Sequence, residues 1–367
     1  MSTKTRLARR ADAVRRQLKR HRLDGLLVTD MANVAYLTGF SGTAGMALVT
    51  ARAVHLIVDF RYFEQAAAEA PGASLVHVDR AFYGAAIAQA LLDTGARHLA
   101  FEAEQVPYAT YMAWQDESPD VTWTPSRGLV EAGRELKDAG EVAMIRQAAA
   151  ITSAAVTGAL AMLAPGVTER EVAAEIERNF KRLGADGVAF GTLVAAGERA
   201  ALPHPRPGDR KLQPGEWLLI DSGATVGGYC ADMTRTLVLG RPDARQREVW
   251  DAVRAALEAG LQAARPGVKA SAVDAACRRV LAKRGLDRYF GHDTGHGVGL
   301  TIHEAPRLAP DSDDVLEPGM IITVEPGVYV PGWGGVRLEE LALVTDDGLE
   351  VLTTAPVALT PLSTLFA

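Results

Sequence analysis

Hydrophobic and polar positions divide the chain into two stretches of different texture. From residue 7 to about residue 125, short apolar runs alternate with amphipathic segments. We expect strands at "GLLVT", "HLIVDF", "SLVHVD" and "RHLAFE", and helices at "RYFEQAAAEA", "AAIAQALLDT" and "PYATYMAWQDE". This alternation predicts an α/β domain with a largely covered sheet.

The first predicted helix lies within the arginine-rich segment "TKTRLARRADAVRRQLKRHR", where Leu7, Ala11, Val14 and Leu18 share one helical face. Arginine-rich amphipathic segments also occur in transit peptides. Because this one contains Asp12 and runs directly into the strand-like "DGLLVTD", we interpret it as the first helix of the N-terminal domain.

Longer helices begin near residue 130, beyond the turn-rich "DESPDVTWTPSRGL". Thr168 opens a capping box with Glu171. Each of two helix pairs is followed by strand-rich sequence, which predicts an α+β domain with an internal pseudo-two-fold repeat. The predicted domains are 1–128 and 129–367. The predicted helices cover 138–163, 168–183, 242–264 and 270–284.

The hairpin-like stretch "LLIDSGATVGGYCADMTRT" places carboxylates in apolar strands. Reflection about a turn between Val226 and Gly227 predicts that Asp221 lies opposite Asp232. Like charges directly opposed across two strands are destabilising. Either a shared proton or a bound cation must therefore compensate the pair.

A second hairpin, "MIITVEPGVYVPGWGGVRLEELALV", repeats this arrangement. Reflection about Gly332 predicts that Glu325 lies opposite Glu339. Four buried carboxylates cannot all ionise without compensation, and the cationic residues of these strands are Arg235 and Arg337. Divalent cations would compensate both pairs at once.

His296 in "TGHGVG" is the candidate fifth ligand, because the flanking glycines let the backbone approach a site closely. Four carboxylates and one imidazole suit manganese, iron or cobalt. Carboxylates that bridge are typical of two-metal hydrolytic sites.

A rival interpretation starts from "LLIDSGA", which also resembles the catalytic Asp-Ser/Thr-Gly stretch of aspartic proteases, with a second Asp-Thr-Gly at Asp293. A shared proton would then compensate the aspartates. The helical content, the unexplained glutamate pair and the "FGH" before Asp293 disfavour it. "GHGVG" lacks the strand-then-helix context of a dinucleotide loop.

The composition of the chain limits the classes of partner that we expect. The net charge of −6 over 367 residues gives no reason to expect nucleic acid, and no charge-free window is long enough to span a membrane. Two cysteines do not make a disulfide framework. We therefore expect a cytoplasmic protein with neither nucleic acid nor membrane as a partner.

The segments "LLIDSGA", "YCADMTRT", "TGHGVGLTIHE", "VEPGVYV" and "GVRLEE" carry five candidate ligands in the order D, D, H, E, E. In this combination they resemble the pita-bread metallopeptidases, which include methionine aminopeptidase, aminopeptidase P and prolidase. "DMANVAYLTGFSG" further resembles the domain that precedes this fold in prolidases, aminopeptidase P and creatinase. The resemblance implies a creatinase-like α/β N-terminal domain followed by a pita-bread catalytic domain.

The resemblance also implies a metal-ligand set. Asp221 and Asp232 would hold one metal, His296 and Glu325 would complete the second, and Asp232 and Glu339 would bridge. Glu325 would act as the general base. "RLEE" departs from the Arg-aliphatic-Glu-Asp of many relatives, and the first glutamate of the two keeps the ligand role.

Substrate contacts are implied in the same way. His303 and His204 resemble the histidine pair that contacts the scissile carbonyl, and His292 resembles a histidine that lines the proline pocket. Arg307 matches an arginine that pairs with the substrate carboxylate in prolidases. Arg337, on the same strand face as Glu339, is a second candidate for that contact.

The predicted function is metal-dependent hydrolysis of Xaa-Pro dipeptides with two divalent ions, Mn(II) first and Co(II), Fe(II) or Zn(II) as alternatives. The alternative within the family is an Xaa-Pro aminopeptidase that acts on longer peptides. A non-peptide hydrolase like creatinase, or a binding module on the same fold, would generally have lost the ligands that this sequence keeps. The resemblance also implies a homodimer.

Overall fold

The computed structural model describes residues 3–78, 87, 90, 91 and 93–360. The chain divides into two compact units, Met1–Arg134 and Glu135–Ala367. This division falls a few residues beyond the predicted boundary between residues 128 and 129. The helix predicted over 85–94 lies partly outside the described residues.

The first unit contains a six-stranded mixed sheet with the strand order β4-β3-β2-β1-β5-β6. β2 pairs antiparallel with β1 and β3, whereas β5 pairs parallel with β1 and β6. β2 was not among the predicted strands, and β6 lies within the segment interpreted as a turn-rich boundary. The strands are β1 Gly25–Val28, β2 Met46–Thr50, β3 Val54–Asp59, β4 Ser74–Val78, β5 His98–Glu102 and β6 Thr122–Ser126.

The first helix confirms the predicted apolar face, since Leu7, Ala11, Val14 and Leu18 are all buried. It therefore packs as part of the N-terminal unit. The helices of this unit are α1 Thr3–His21, α2 Met31–Thr38, α3 Phe63–Glu69, α4 Tyr108–Glu117 and α5 Glu131–Arg134.

The second unit confirms the predicted repeat of two helices followed by β-structure. Its helices are α6 Ala139–Ala159, α7 Glu169–Arg182, α8 Ala244–Ala263 and α9 Ala270–Ala282. Thr168 and Glu171 form the predicted capping box of α7. None of the helices within the described ranges is long and apolar enough to cross a membrane.

In the described part of this unit the strands form four small sheets, in the orders β12-β9-β8, β11-β10-β7, β14-β13-β15-β18-β19 and β16-β17. The strands of the first half are β7 Gly187–Val188, β8 Leu193–Ala196, β9 Trp217–Ser222, β10 Ala224–Val226, β11 Tyr229–Cys230 and β12 Met233–Val238. The strands of the second half are β13 Gly295–Gly297, β14 Glu304–Leu308, β15 Ile321–Val324, β16 Gly327–Val330, β17 Gly334–Arg337, β18 Glu340–Thr345 and β19 Gly348–Val351.

Side chains alternate along β9 between two apolar clusters. Leu218 and Ile220 pack in the cluster formed with α6 and α7, whereas Trp217 and Leu219 pack in the cluster formed with α8 and α9. Because strand side chains alternate with period two, Asp221 continues the second face. The fold thus directs this carboxylate towards the second half of the unit.

A two-residue turn joins β10 to β11. Val226 pairs with Tyr229, and the residues between them, Gly227 and Gly228, have φ angles of 58° and 79°. Two successive positive φ values are required by a type I′ hairpin turn, and glycine adopts them without steric cost. The pair of glycines therefore sets the register of this hairpin.

We predict that Gly228→Ala lowers the unfolding free energy by about 1–2 kcal/mol, the cost of placing a Cβ in the left-handed region. Urea denaturation of the metal-free protein measures the change. Gly191→Ala is the control, since a Cβ at Gly191 meets no atom within 4 Å and the residue lies outside the positive φ range. Equal stability of the two variants would contradict the prediction.

Candidate metal centre

The first carboxylate pair lies on the β9–β12 hairpin in a register that differs from the predicted one. Asp221 pairs with Thr234, so its predicted pairing with Asp232 is wrong by two residues. The turn is centred between Gly227 and Gly228 rather than one residue earlier, which accounts for the shift. A shift of two residues preserves the strand face. Both carboxylates therefore still belong to the same side of the hairpin.

The second carboxylate pair confirms the predicted register. β15 and β18 place Val324 opposite Glu340, and the β16–β17 ladder continues the same register. Glu325 and Glu339 occupy the opposed positions where one ladder ends and the other begins. Both hairpins thus present two carboxylates from neighbouring strands.

His296 lies among these carboxylates. Its Nε2 is 3.3 Å from Glu325 Oε1 and 3.6 Å from Asp232 Oδ2. One ligand atom each from Asp232, His296 and Glu339 lie within 4.8 Å of one another. His296 Nδ1 is 3.0 Å from the carbonyl oxygen of Gly297. A hydrogen bond there orients the ring and leaves Nε2 to face the carboxylates, as in metal-binding histidines.

Two carboxylate oxygens of the site have unmet hydrogen-bonding capacity. Within the described part of the chain, Asp221 Oδ1 and Glu339 Oε1 are buried and have no hydrogen-bond partner. Buried side-chain oxygens are normally satisfied by the protein or by an ordered ligand. Since both oxygens belong to predicted metal ligands, they fit a cation-binding role.

The pKa shifts of the carboxylates also indicate a site in which negative charges repel one another. Burial, followed by the charges of the other carboxylates, raises the pKa of Asp232 and of Glu339 well above their usual values. Burial alone would also raise the pKa of Glu325, but the hydrogen bond and charge of His296 hold it at about 2. Without a bound metal, protonation is therefore favoured at Asp232 and Glu339, whereas ionisation is favoured at Glu325.

Arg337 has different surroundings from those predicted for a substrate-binding residue. Its side chain is buried, and its terminal nitrogens donate to Asp221 Oδ2 at 2.6 Å, to the Tyr329 hydroxyl at 2.8 Å and to the Pro203 carbonyl at 3.0 Å. Nε donates to Thr234 Oγ1 at 3.0 Å. These contacts make Arg337 an internal counter-charge of the carboxylates, in place of the predicted substrate contact.

The charge balance of the site supports more than one divalent cation. Four ionised carboxylates and the Arg337 guanidinium leave three negative charges when the His296 imidazole is neutral. A single divalent cation leaves one negative charge, whereas two leave one positive charge, which a hydroxide ion would neutralise. Carboxylate oxygens with one imidazole form a donor set that suits hard or borderline divalent ions. The residues present thus fit a pair of such ions.

His303 and His204 lie near this centre on separate loops. The ring centroid of His303 is 4.4 Å from that of His296. Burial lowers the pKa of His303, and the charges of His296 and His204 lower it further. His204 is exposed on the segment between β8 and β9. The structure therefore brings His303 beside a predicted ligand and places His204 within electrostatic reach.

His292 is held by two hydrogen bonds. Its Nδ1 is 2.7 Å from the Asp293 carbonyl oxygen and its Nε2 is 2.9 Å from the Tyr329 hydroxyl. Because the Asp293 carbonyl oxygen can only accept, Nδ1 carries the proton of the neutral ring, and Nε2 accepts from the Tyr329 hydroxyl. Burial lowers the pKa of His292, in agreement with a neutral ring. Because both ring nitrogens already have hydrogen-bond partners, His292 can contact a substrate through its ring carbons.

Arg307 lies on β14 directly opposite His296 on β13. Directly opposed residues share a sheet face. The exposed guanidinium donates to Asp293 Oδ2 at 3.3 Å and to Asp311. Arg307 thus shares a sheet face with a predicted metal ligand, and its present partners are exposed carboxylates.

Three residues that contact the site were missed in the sequence. Thr234 donates to Glu339 Oε2 at 2.7 Å, Thr323 donates to Glu325 Oε1 at 3.2 Å, and Tyr329 bridges His292 and Arg337. Each lies two or four residues from a predicted ligand, and so on the same strand face. That spacing is the signal that could have identified them.

We predict that Asp232→Asn loses most of its bound divalent metal, because a neutral amide replaces a carboxylate shared by the site. The metal-free variant should also melt at or above the temperature of metal-free wild type, because one like charge is removed. Elemental analysis and calorimetry measure the two effects. Asp313→Asn, which removes an exposed carboxylate paired with Lys269, is the control. Wild-type metal content in Asp232→Asn would contradict the assignment.

Comparison with known proteins identifies two matching family domains. Residues 143–346 match metallopeptidase family M24, and residues 10–136 match the creatinase/prolidase N-terminal domain. The chain is 34% identical to the Xaa-Pro dipeptidase of Pyrococcus horikoshii, over 92% of this chain and 94% of that protein.

Two solved structures extend the similarity. An Xaa-Pro dipeptidase from Bacillus anthracis superposes with a TM-score of 0.93 and 38% identity, covering 96% of this chain and 99% of the other. An X-Pro aminopeptidase from Thermotoga maritima superposes with a TM-score of 0.86 and 33% identity, covering 92% and 97% of the two chains. Because the family model matches more than half of the chain, this protein belongs to metallopeptidase family M24.

Proposed function

We propose that this protein is an Xaa-Pro dipeptidase that uses two divalent metal ions. The proposal rests on the buried carboxylates Asp221, Asp232 and Glu339 beside half-buried Glu325 and His296. Two of the buried carboxylate oxygens have no hydrogen-bond partner within the described residues. The similarity to Xaa-Pro dipeptidases supports the substrate class.

The proposed metal ligands divide between the two hairpins. Asp221 and Asp232 would hold one ion, His296 and Glu325 the other, and Asp232 and Glu339 would be shared. Two ions bound there would lower the pKa of a water molecule and polarise the scissile carbonyl. We propose Mn(II), with Co(II), Fe(II) and Zn(II) as the alternatives that the same donors accommodate.

Glu325 is the proposed proton carrier. As a metal ligand its carboxylate would be ionised, so it could accept a proton from the attacking water. The Xaa-Pro bond is a tertiary amide whose leaving nitrogen has no hydrogen. When the carbon–nitrogen bond breaks, Glu325 returns the proton to that nitrogen, and proline leaves as a secondary amine.

His303 and His204 are the proposed donors to the scissile carbonyl oxygen, where negative charge develops during the attack. A neutral imidazole donates one N–H, and preorganised donors are most effective where charge develops. The lowered pKa of His303 favours this neutral form. His292 is proposed to line the proline site with its ring.

Arg307 is the proposed partner of the proline carboxylate. Its exposed guanidinium can exchange the Asp293 and Asp311 carboxylates for the free carboxylate of a dipeptide. A longer peptide has an amide at that position instead. The similarity to an X-Pro aminopeptidase supports that activity as the second candidate.

The remaining expectations concern partners and location. The family resemblance supports a homodimer, and the net charge of −6 gives no support for nucleic acid as a partner. The two cysteines, Cys230 and Cys277, are too few for a disulfide framework, and we propose a cytoplasmic location. Proline-containing peptides are the proposed substrates.

We predict that kcat/KM for Ala-Pro exceeds that for Ala-Pro-Ala by about tenfold, or ~1.4 kcal/mol of transition-state binding. Arg307→Ala should remove most of this gap by harming the dipeptide alone. Arg254→Ala, which removes an exposed arginine paired with Asp251 and Glu258, is the control and should preserve the gap. Better cleavage of Ala-Pro-Ala by wild type would reassign the protein to the aminopeptidases, and cleavage of Met-Ala-Ser alone would exclude proline specificity.

We predict that His303→Ala retains its metal while kcat falls by about 10²- to 10³-fold, the range for losing one stabilising donor. Elemental analysis and steady-state kinetics of the same preparation separate the two effects. A simultaneous loss of metal would show that His303 belongs to the ligand set.

A further inference from the structure

The loop that carries His204 is tied together at its base by Glu169. This residue begins α7, and its side chain is fully buried. Oε1 accepts from the Ala196 N–H at 2.8 Å and from Arg199 Nε at 3.0 Å, and Oε2 accepts from the Gly208 N–H at 3.0 Å. Ala196 precedes the loop and Gly208 follows His204, so a single carboxylate binds both ends.

Further contacts fix the middle and the tip of the loop. Arg199 NH2 donates to the Arg206 carbonyl at 2.7 Å. At the tip, the Pro203 carbonyl accepts from Arg337 at 3.0 Å, and Pro203 immediately precedes His204. The loop is therefore anchored by Glu169 at one end and by the counter-charge of the metal centre at the other.

Glu169 is not needed to begin its own helix. The capping box of α7 is completed by Thr168 and Glu171, each of which accepts the other's backbone N–H. A buried carboxylate is costly unless charge-assisted hydrogen bonds compensate it. The described donors to Glu169 all lie at or within the His204 loop, so its buried charge serves that loop.

We propose that Glu169 is a positioning residue that fixes His204 for its contact with the scissile carbonyl. The role of His204 rests on the proposed function. Glu169 acts through the loop backbone and Arg199. Without its carboxylate the two backbone donors lose their acceptor, and the His204 ring loses its fixed approach.

Kinetics of Glu169→Gln test this role. Its kcat on Ala-Pro should fall by about 10- to 100-fold, the effect of a misplaced group, with KM and metal content unchanged. Glu171→Gln, which removes a charge from the same helical turn, should keep the wild-type kcat. In a His204→Ala background, Glu169→Gln should cause no further loss, because two changes that act through one group are not additive. Additive losses, or an unchanged kcat, would overturn the proposal.

Amide hydrogen exchange gives a readout that needs no substrate. The side chain of Glu169→Gln keeps one acceptor oxygen, so at least one of the Ala196 and Gly208 amides should exchange faster in this variant. Both should exchange at the wild-type rate in Glu171→Gln. If Glu169→Gln does not fold, Arg199→Gln, at a site with 35% side-chain exposure, should show the same pattern to a smaller extent. Unchanged exchange overturns the proposal whatever the substrate. A wild type inactive on Xaa-Pro peptides, with faster loop exchange in the variant, would instead refute the proposed function.

Discussion

Repulsion among four carboxylates in a buried site is the constraint on which the rest of the second unit depends. Burial removes the water that would stabilise these charges, and their proximity raises the pKa of Asp232 and Glu339 further. The Arg337 guanidinium and the His296 imidazole compensate part of this negative charge, but they do not balance four carboxylates. Divalent cations would compensate the remaining negative charge. Cation binding would therefore relieve the repulsion among these carboxylates.

The two-fold repeat explains how the chain assembles such a site from simple parts. Each half contributes two helices and a hairpin, and each hairpin supplies two carboxylates from neighbouring strands. The apolar faces of the strands pack on the helices, so the polar positions are left to face one another. The histidines that would contact substrate lie on loops. The loop that carries His204 is held in place by hydrogen bonds between its backbone and the side chains of Glu169 and Arg337.

Much of this arrangement could be predicted from the sequence, because hairpin registers follow from their turns. The reflection about Gly332 was correct, whereas the one near Gly227 missed the turn centre by one residue and the pairing by two. β6 was missed because Trp123 is its single buried side chain among polar neighbours. The direction of the Arg337 side chain depends on a carboxylate and a hydroxyl from other strands. A sequence does not specify such contacts between strands.

The two hairpins would jointly bind a pair of divalent ions. Anomalous diffraction at the manganese edge, from crystals of the Mn(II)-loaded protein, would locate these ions. We expect two anomalous peaks, roughly 3.5–4 Å apart, with Asp232 and Glu339 contacting both. A single peak, or strong peaks away from these side chains, would contradict this expectation.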